Sequence, residues 1–216
     1  MDLWAVVPVK ERGLAKERLA PVLRPQMRQA LALAMLEDVL AALIATPGIP
    51  GILVVTVDPE ASRLAARYGA RLVETGARDG HTGAVATAAR LLAAEGRAGM
   101  LTLPGDIPLV TPAELAELLA AHPPAPSFTI APSHDERGSN AIACSPPDAV
   151  PLRFGDNSFY PHLQAAEVCG IRPNVLHLPG IALDIDNPED LFAFSAKGWP
   201  TRTTEFLERS GFRTPK

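Results

Sequence analysis

The sequence predicts a three-layer α/β domain on a mostly parallel β-sheet, and three observations carry that expectation. Short continuous apolar runs, at residues 3–7 and 52–57, read as strands buried on both faces. Segments with apolar residues at spacings of three and four alternate with them. The connections between strands are long enough to hold a helix, which implies right-handed crossovers and helices on both faces of the sheet.

The elements follow in order. After the strand at 3–7, residues 25–46 read as a helix, with Leu36, Val39, Leu40 and Leu43 on one face and Pro47-Gly48 as its stop. Residues 52–57 form the second strand, and Asp58-Pro59-Glu60 opens a helix running to Tyr68, with Asp58 as N-cap and Pro59 in the first turn. Gly69 suits a helix C-cap, and a short strand follows at 71–74. A helix over about 82–95, a strand at 100–103 and a helix from Pro112 come next. Beyond residue 126 the pattern changes. Strands at 127–131 and 140–144 flank a polar loop and read as an antiparallel extension, followed by a helix at 158–168 and a strand at 174–178. Residues 1–196 are expected to form one domain, with 197–216 as a C-terminal tail.

Composition narrows the functional classes. The chain has 216 residues, 47% hydrophobic and 20% charged, enough for one sizeable core. A net charge of −4 gives no basic surface for nucleic acid or anionic membrane. The longest apolar stretch, residues 30–44, contains Glu37 and Asp38 and is too short to span a bilayer. The N-terminal segment lacks a cationic start and a small-residue cleavage site, and the two cysteines, Cys144 and Cys169, read as buried free thiols. The expectation is a cytoplasmic protein.

Ligands of open parallel sheets bind beyond the carboxyl ends of the strands, which directs attention to four segments. The loop after the first strand carries Lys10, Arg12, Lys16 and Arg18, four cations in nine residues, and suits a polyphosphate. It matches neither dinucleotide-binding nor P-loop spacing. Asp106, in Pro104-Gly105-Asp106-Ile107-Pro108, is a candidate Mg²⁺ ligand, because Thr111 already stands where the next helix needs its cap. In Asp184-Ile185-Asp186 the two carboxylates share one face of an extended segment. Asp186 or Asn187 can cap the following helix, which leaves Asp184 as the second candidate ligand. Finally, Gly138-Ser139-Asn140 and residues 154–159 offer hydroxyl and backbone N–H donors to a phosphate or carboxylate. There is no nucleophile elbow, no zinc-protease motif and no Cys/His cluster. His81 and His162 lie near these loops, with surface or packing roles as their default.

Taken together, V-P-V-K-x5-A-K-x-R-L (7–19), G-D-I-P (105–108), G-S-N-A (138–141), F-G-x-x-S-F-x-x-H (154–162) and D-I-D-x-P-x-D-L (184–191) resemble the 2-phospho-L-lactate / phosphoenolpyruvate guanylyltransferase family of deazaflavin-coenzyme (F420) biosynthesis. The resemblance spans roughly residues 3–194, and F-G-x-x-S is its most specific part. It implies a nucleotidyltransferase fold, glycosyltransferase-A-like, and a Mg²⁺-dependent attack of a small phosphorylated carboxylic acid on the α-phosphate of GTP. Pyrophosphate would leave, and the linked acid would pass to a transferase acting on the deazaflavin precursor.

By the same resemblance, Asp106 and Asp184 would hold metal, and Ser139, Gly155 and Ser158 would bind the acceptor. Pro8, Lys10, Lys16, Arg18, Thr82 and Gly105 would meet the nucleotide, with Lys16, Arg18 and Asp106 carrying catalysis. Ser139 stands where threonine is common. The family's usual G-L-N-x-A is here Gly80-His81-Thr82-Gly83-Ala84, and Thr82 cannot make the bidentate contact of an asparagine amide. A homodimer, another nucleotidyltransferase with a sugar or cofactor acceptor, and a non-catalytic nucleotide-binding protein stay open as alternatives.

Overall fold

A computed structural model describes residues 2–11 and 16–213. Its strands are β1 (Leu3–Pro8), β2 (Ile52–Val55), β3 (Arg71–Val73), β4 (Gly99–Thr102), β5 (Ser127–Pro132), β6 (Ser139–Ser145) and β7 (Pro173–Val175). They form one sheet in the order β3-β2-β1-β4-β6-β5-β7. The pairs β1–β2, β1–β4, β2–β3 and β5–β7 are parallel. Among the described residues, only β6 runs against its neighbours, β4 and β5. The predicted antiparallel extension is therefore a single reversed strand inside the sheet.

Both faces of the central strands are buried, as continuous apolar runs require. Leu3, Ala5 and Val7 of β1, with Ile52 and Val54 of β2, enter one core. Val6, Leu53 and Val55, on the alternate positions, enter the other. Helices α1 (Pro25–Ile44), α2 (Pro59–Arg67) and α4 (Pro112–Ala121) cover the first face, and α3 (Gly80–Ala94) and α5 (Phe159–Val168) the second. Gly99 is dictated by close approach at the sheet centre, since a Cβ there would lie 2.4 Å from Leu3 Cδ2 and 2.6 Å from the Cys144 carbonyl.

The expected caps form. Asp58 Oδ1 accepts from the Glu60 and Ala61 amides, each at 3.0 Å. Thr111 and Glu114 close a capping box at the start of α4, leaving Asp106 out of that helix. The short α6 (Pro179–Ala182) leads into an extended segment and then α7 (Pro188–Ser195), whose cap is Asn187, boxed with Asp190.

Residues 202–209 form α8 (Arg202–Arg209), which packs on α1 and places Leu207 in a third cluster with Leu31, Met35, Leu191 and Phe194. One cysteine departs from expectation. Cys144 is buried in β6, whereas Cys169 is exposed, because it is the C-cap residue where α5 ends at the surface.

Candidate active site

The carboxyl ends of β1 and β4 open onto a cavity of about 1000 Å³. Because β6 is antiparallel to β4, its first residues, Ser139 and Asn140, reach the same edge of the sheet. The reversal thus brings the 138–140 segment opposite the Asp106 turn. Of the candidate residues named from the sequence, Pro8, Lys10, Lys16, Arg18, Thr82, Gly105, Asp106, Ser139, Gly155, Ser158 and Asp184 line this cavity. Arg12 of the cationic loop lies outside the described residues.

One wall is ionic. Lys16, in a left-handed backbone conformation (φ 54°), starts the 3-10 turn Glu17–Leu19. Its Nζ lies 2.5 Å from Asp106 Oδ2 and 2.6 Å from Asp186 Oδ1. Burial alone would lower its pKa, but the charges and hydrogen bonds of the two aspartates outweigh it and push the value up to about 12. Burial opposes ionisation of Asp186, yet the Lys16 charge and hydrogen bond hold its carboxyl below the usual range. Since Asn187 supplies the helix cap, Asp186 is free to make this pair.

Asp184 has the opposite electrostatics. Burial, then the charge of Asp106 and that of Asp186, raise its pKa to about 6, against a hydrogen bond from Asn140. The 183–187 segment is held by that Asn140 amide, which donates to the Ile181 and Ala182 carbonyls at 3.0 and 3.2 Å and to Asp184 Oδ1 at 3.1 Å. A bond from the Ile185 amide to the Asp106 carbonyl, 3.1 Å, joins it to the β4 turn. Ile185 is fully buried between the two aspartates, as the alternation of an extended segment requires.

The donor set fits a divalent cation. Two carboxylates, Asp106 and Asp186, share the buried Lys16 ammonium, and Asp184 feels the repulsion of both. No three His, Cys, Asp or Glu side chains form a ready-made cage among the described residues. Mg²⁺ takes one or two carboxylates and completes its shell with phosphate and water.

The opposite wall carries neutral hydrogen-bonding groups. Ser139 and Ser158 are buried, and Ser158 Oγ donates to Ser139 Oγ at 3.3 Å. His162 Nδ1 lies 2.9 Å from Ser139 Oγ, and its Nε2 accepts from the Arg153 amide at 2.9 Å. The ring is buried inside this network and packs against Phe154, so of its two expected default roles the surface one does not hold and the packing one is joined by hydrogen bonds. Gly155 has φ +153°, a conformation that favours glycine, and it lets the 154–158 loop turn over the cavity. Arg137 Nε braces that loop by donating to Asn157 Oδ1 at 2.9 Å.

Two expected contacts look different in three dimensions. The Thr82 hydroxyl accepts from the Phe154 amide (3.0 Å) and donates to the Phe154 carbonyl (3.3 Å), so it anchors the 154–158 loop and has no hydrogen left for a base. Arg18 is 68% exposed at the cavity mouth, 3.9 Å from Asp156. Its neighbour in the motif, Lys16, is the buried cation.

His81 adds a feature that its position alone did not mark. Its ring packs on Phe154 with centroids 4.3 Å apart. Burial, only partly countered by Asp106, lowers its pKa to about 4 and keeps it neutral. It lies in the first turn of α3, whose N-cap residue Asp79 makes no side-chain cap bond. The helix start thus presents amide groups to the cavity, a favourable setting for phosphate.

A mostly parallel sheet with cations after its first strand, carboxylates after its central strand and a large polar cavity between them defines a nucleotidyltransferase. Solved structures share the fold. A protein from Desulfovibrio desulfuricans described as a "putative nucleotide-diphospho-sugar transferase" superposes with a TM-score of 0.72 at 18% identity, over 98% of this chain and 96% of that one. CMP:2-keto-3-deoxy-manno-octonic acid synthetase does so at 0.61 and 14%, over 92% and 100%.

The family model described as "Guanylyl transferase CofC like" matches residues 3–215, and the chain belongs to that family of guanylyltransferases. It is 41% identical to the phosphoenolpyruvate guanylyltransferase of Rubrobacter xylanophilus over 201 residues, 92% of this chain and 96% of the relative. The 3-phospho-D-glycerate guanylyltransferase of Colwellia psychrerythraea is 37% identical, with 86% and 88% covered. The 2-phospho-L-lactate guanylyltransferase of Methanothermobacter thermautotrophicus is 32% identical, with 98% and 92% covered. Among the described residues, no helix is long and apolar enough to cross a membrane.

Proposed function

We propose that this enzyme transfers GMP from GTP to the phosphate of a small phosphorylated carboxylic acid, with phosphoenolpyruvate first among the acceptors and 2-phospho-L-lactate and 3-phosphoglycerate as its alternatives. The observation that carries this reading is the meeting, in one cavity, of the Lys16–Asp106–Asp186 cluster with the Ser139–Ser158 wall. One wall suits a triphosphate with its metal, and the other suits an anionic acceptor. The product is a substrate for a transferase acting on the deazaflavin precursor of F420.

An oxygen of the acceptor phosphate attacks the α-phosphorus of GTP, a new P–O–P bond forms, and the α–β bridging bond breaks to release pyrophosphate. The acceptor phosphate is already ionised near neutral pH, so no general base is needed. Catalysis then rests on positioning and on neutralising charge. Lys16 turns its ammonium to the phosphates, Lys10 and Arg18 line the entrance, and the start of α3 offers amide donors. Pro8 and Gly105 form the floor beside the nucleotide. Asp106 and Asp184 would hold Mg²⁺, with Asp186 keeping Lys16 in place. Bound Mg²⁺ supplies Lewis-acid polarisation of the phosphates. Ser139, Ser158 and the backbone around Gly155 would take the acceptor.

The test is pyrophosphate release with Mg²⁺, crossing GTP, ATP, CTP and UTP with the three acids, with size-exclusion chromatography to test the homodimer. Release with GTP and one acid supports the reading and names the acceptor. No release in any pair, despite a GTP-induced rise in Tm, overturns it in favour of a nucleotide-binding protein.

A further inference from the structure

His162 joins the two loops of the acceptor wall, and hydrogen-bond chemistry determines which of its nitrogens carries the proton. The Arg153 amide can only donate, so His162 Nε2, 2.9 Å away, must accept. Burial, reinforced by the neighbouring His81, lowers the pKa of the ring to about 4, so at neutral pH it holds one proton, on Nδ1. That N–H donates to Ser139 Oγ at 2.9 Å. Ser158 Oγ donates to the same oxygen at 3.3 Å. A hydroxyl has two lone pairs and one hydrogen. With both lone pairs engaged, the Ser139 hydrogen is left to donate, and no acceptor takes it among the described residues. Ser139 lines the cavity, where an oxygen of the ligand would be that acceptor.

We propose that His162 is a positioning residue for acceptor recognition, fixing the Ser139 hydroxyl as a donor toward an oxyanion of the phosphorylated acid and bracing the 138–139 and 153–158 loops against each other. This inference rests on the acceptor reading of that wall given above. A neutral, oriented donor suits an anion better than a freely rotating hydroxyl, because the cost of orientation is met in the free enzyme. The ring itself is held by its surroundings, with Phe154 edge-on at 5.0 Å between centroids.

The test separates positioning from bulk packing. His162→Phe keeps an aromatic ring and removes both hydrogen bonds, whereas His162→Asn keeps an N–H able to reach Ser139. Steady-state pyrophosphate release should show the acceptor KM of His162→Phe raised about 10- to 100-fold, the range for losing a hydrogen bond to a charged group. The KM for GTP should stay within about twofold of wild type, since the nucleotide wall is untouched. His162→Asn should recover a large part of the defect. In a Ser139→Ala background, His162→Phe should add little, because the group it orients is gone.

Ring ¹⁵N chemical shifts of His162 in the wild type provide a second readout, in which the Nδ1–H tautomer is expected and the Nε2–H tautomer overturns the proposal, even if His162→Phe fails to fold. An unchanged acceptor KM in folded His162→Phe, or full multiplication of its defect onto Ser139→Ala, overturns it as well. A wild-type protein that releases no pyrophosphate with any of the three acids removes the functional reading and this proposal together, whereas failure of the variants beside an active wild type removes this proposal alone.

Discussion

Lys16 Nζ sits 2.5 Å from Asp106 Oδ2, although 90 residues separate the two in the chain. The contact joins the loop after β1 to the turn after β4, neighbouring strands whose carboxyl ends lie side by side. With Asp186 completing the cluster, one ammonium compensates carboxylates from two further segments. Replacing Lys16 by Met should lower kcat by roughly 10²–10³-fold, as expected when a preorganised charge is removed from a phosphoryl-transfer site. It should also increase the Mg²⁺-induced rise in Tm without nucleotide, because the freed carboxylates would have only the metal to offset their repulsion. A smaller Mg²⁺ response than wild type would contradict the shared-site arrangement.

Asp106 is the residue on which the metal assignment turns. Asp106→Asn should abolish most turnover and shift the Mg²⁺ dependence of the remainder to higher concentration. GTP binding without Mg²⁺ should be retained, since one repulsive charge has been removed. Full activity of Asp106→Asn under limiting Mg²⁺ would rule out its role as a ligand.

Asp106 was legible in the sequence because a capping Thr111 five residues later left it without a structural task, and the capping box bears that out. The strands were legible because β1, β2 and β4 are buried on both faces and read as unbroken apolar runs. What could not be read were roles set by partners far along the chain. Asn140 acts on Asp184, 44 residues away, and His162 on Ser139, 23 residues away. Both lie inside quoted motifs, yet nothing local separates an oriented buried imidazole from a surface one. Asp186 was obscured for another reason, because Asp186 and Asn187 are both competent caps and only the geometry shows that Asn187 takes the task. The Thr82 hydroxyl was open to a base until Phe154 came against it.

The pH dependence of stability follows from Asp184. Its pKa in the folded, metal-free protein is about 6, above its ordinary 3.8. Between those values the folded chain retains a proton that the unfolded chain has released, so this contribution is full below about pH 4 and is lost as pH rises through 6. His81 and His162, both lowered to about 4, act in the opposite direction over part of the same range. The difference between wild type and Asp184→Asn isolates the carboxyl. Thermal melts in EDTA should show Asp184→Asn gaining stability relative to wild type between pH 4 and pH 7, by a few degrees. A constant difference across that range would refute the raised pKa.

Gly155 tests the acceptor loop through its backbone alone. A Cβ at this position meets nothing within 4 Å, but φ is +153°, so Gly155→Ala is disfavoured by conformation and not by collision. Strain of this kind costs on the order of 1–3 kcal/mol. The loop should relax away from the cavity and raise the acceptor KM by about tenfold or more, with the GTP KM little changed. Equal effects on both substrates would place Gly155 outside the acceptor wall.

The C-terminal tail gives the last prediction. We propose that the tail, through α8 (Arg202–Arg209), braces the domain from outside the catalytic cavity. Asp38 of α1 accepts from the Arg202 amide at 2.8 Å, the Thr203 amide at 3.0 Å and the Thr203 hydroxyl at 2.6 Å, and so acts as a cap for α8 supplied from another helix. Docking of α8 buries the Asp38 carboxyl, and that burial raises its pKa against those bonds. Asp38→Ala leaves the α8 amides without this acceptor and should destabilise the protein by about 1–3 kcal/mol, the range for losing a cap and its charged hydrogen bonds. Leu207→Ala, which empties a 3%-exposed site in the cluster with Leu31 and Phe194, should cost about 2–5 kcal/mol. Both substitutions should lower Tm while leaving kcat and both KM values near wild type at temperatures where the variants are folded. A selective loss of turnover without a change in Tm would instead make α8 part of the active site.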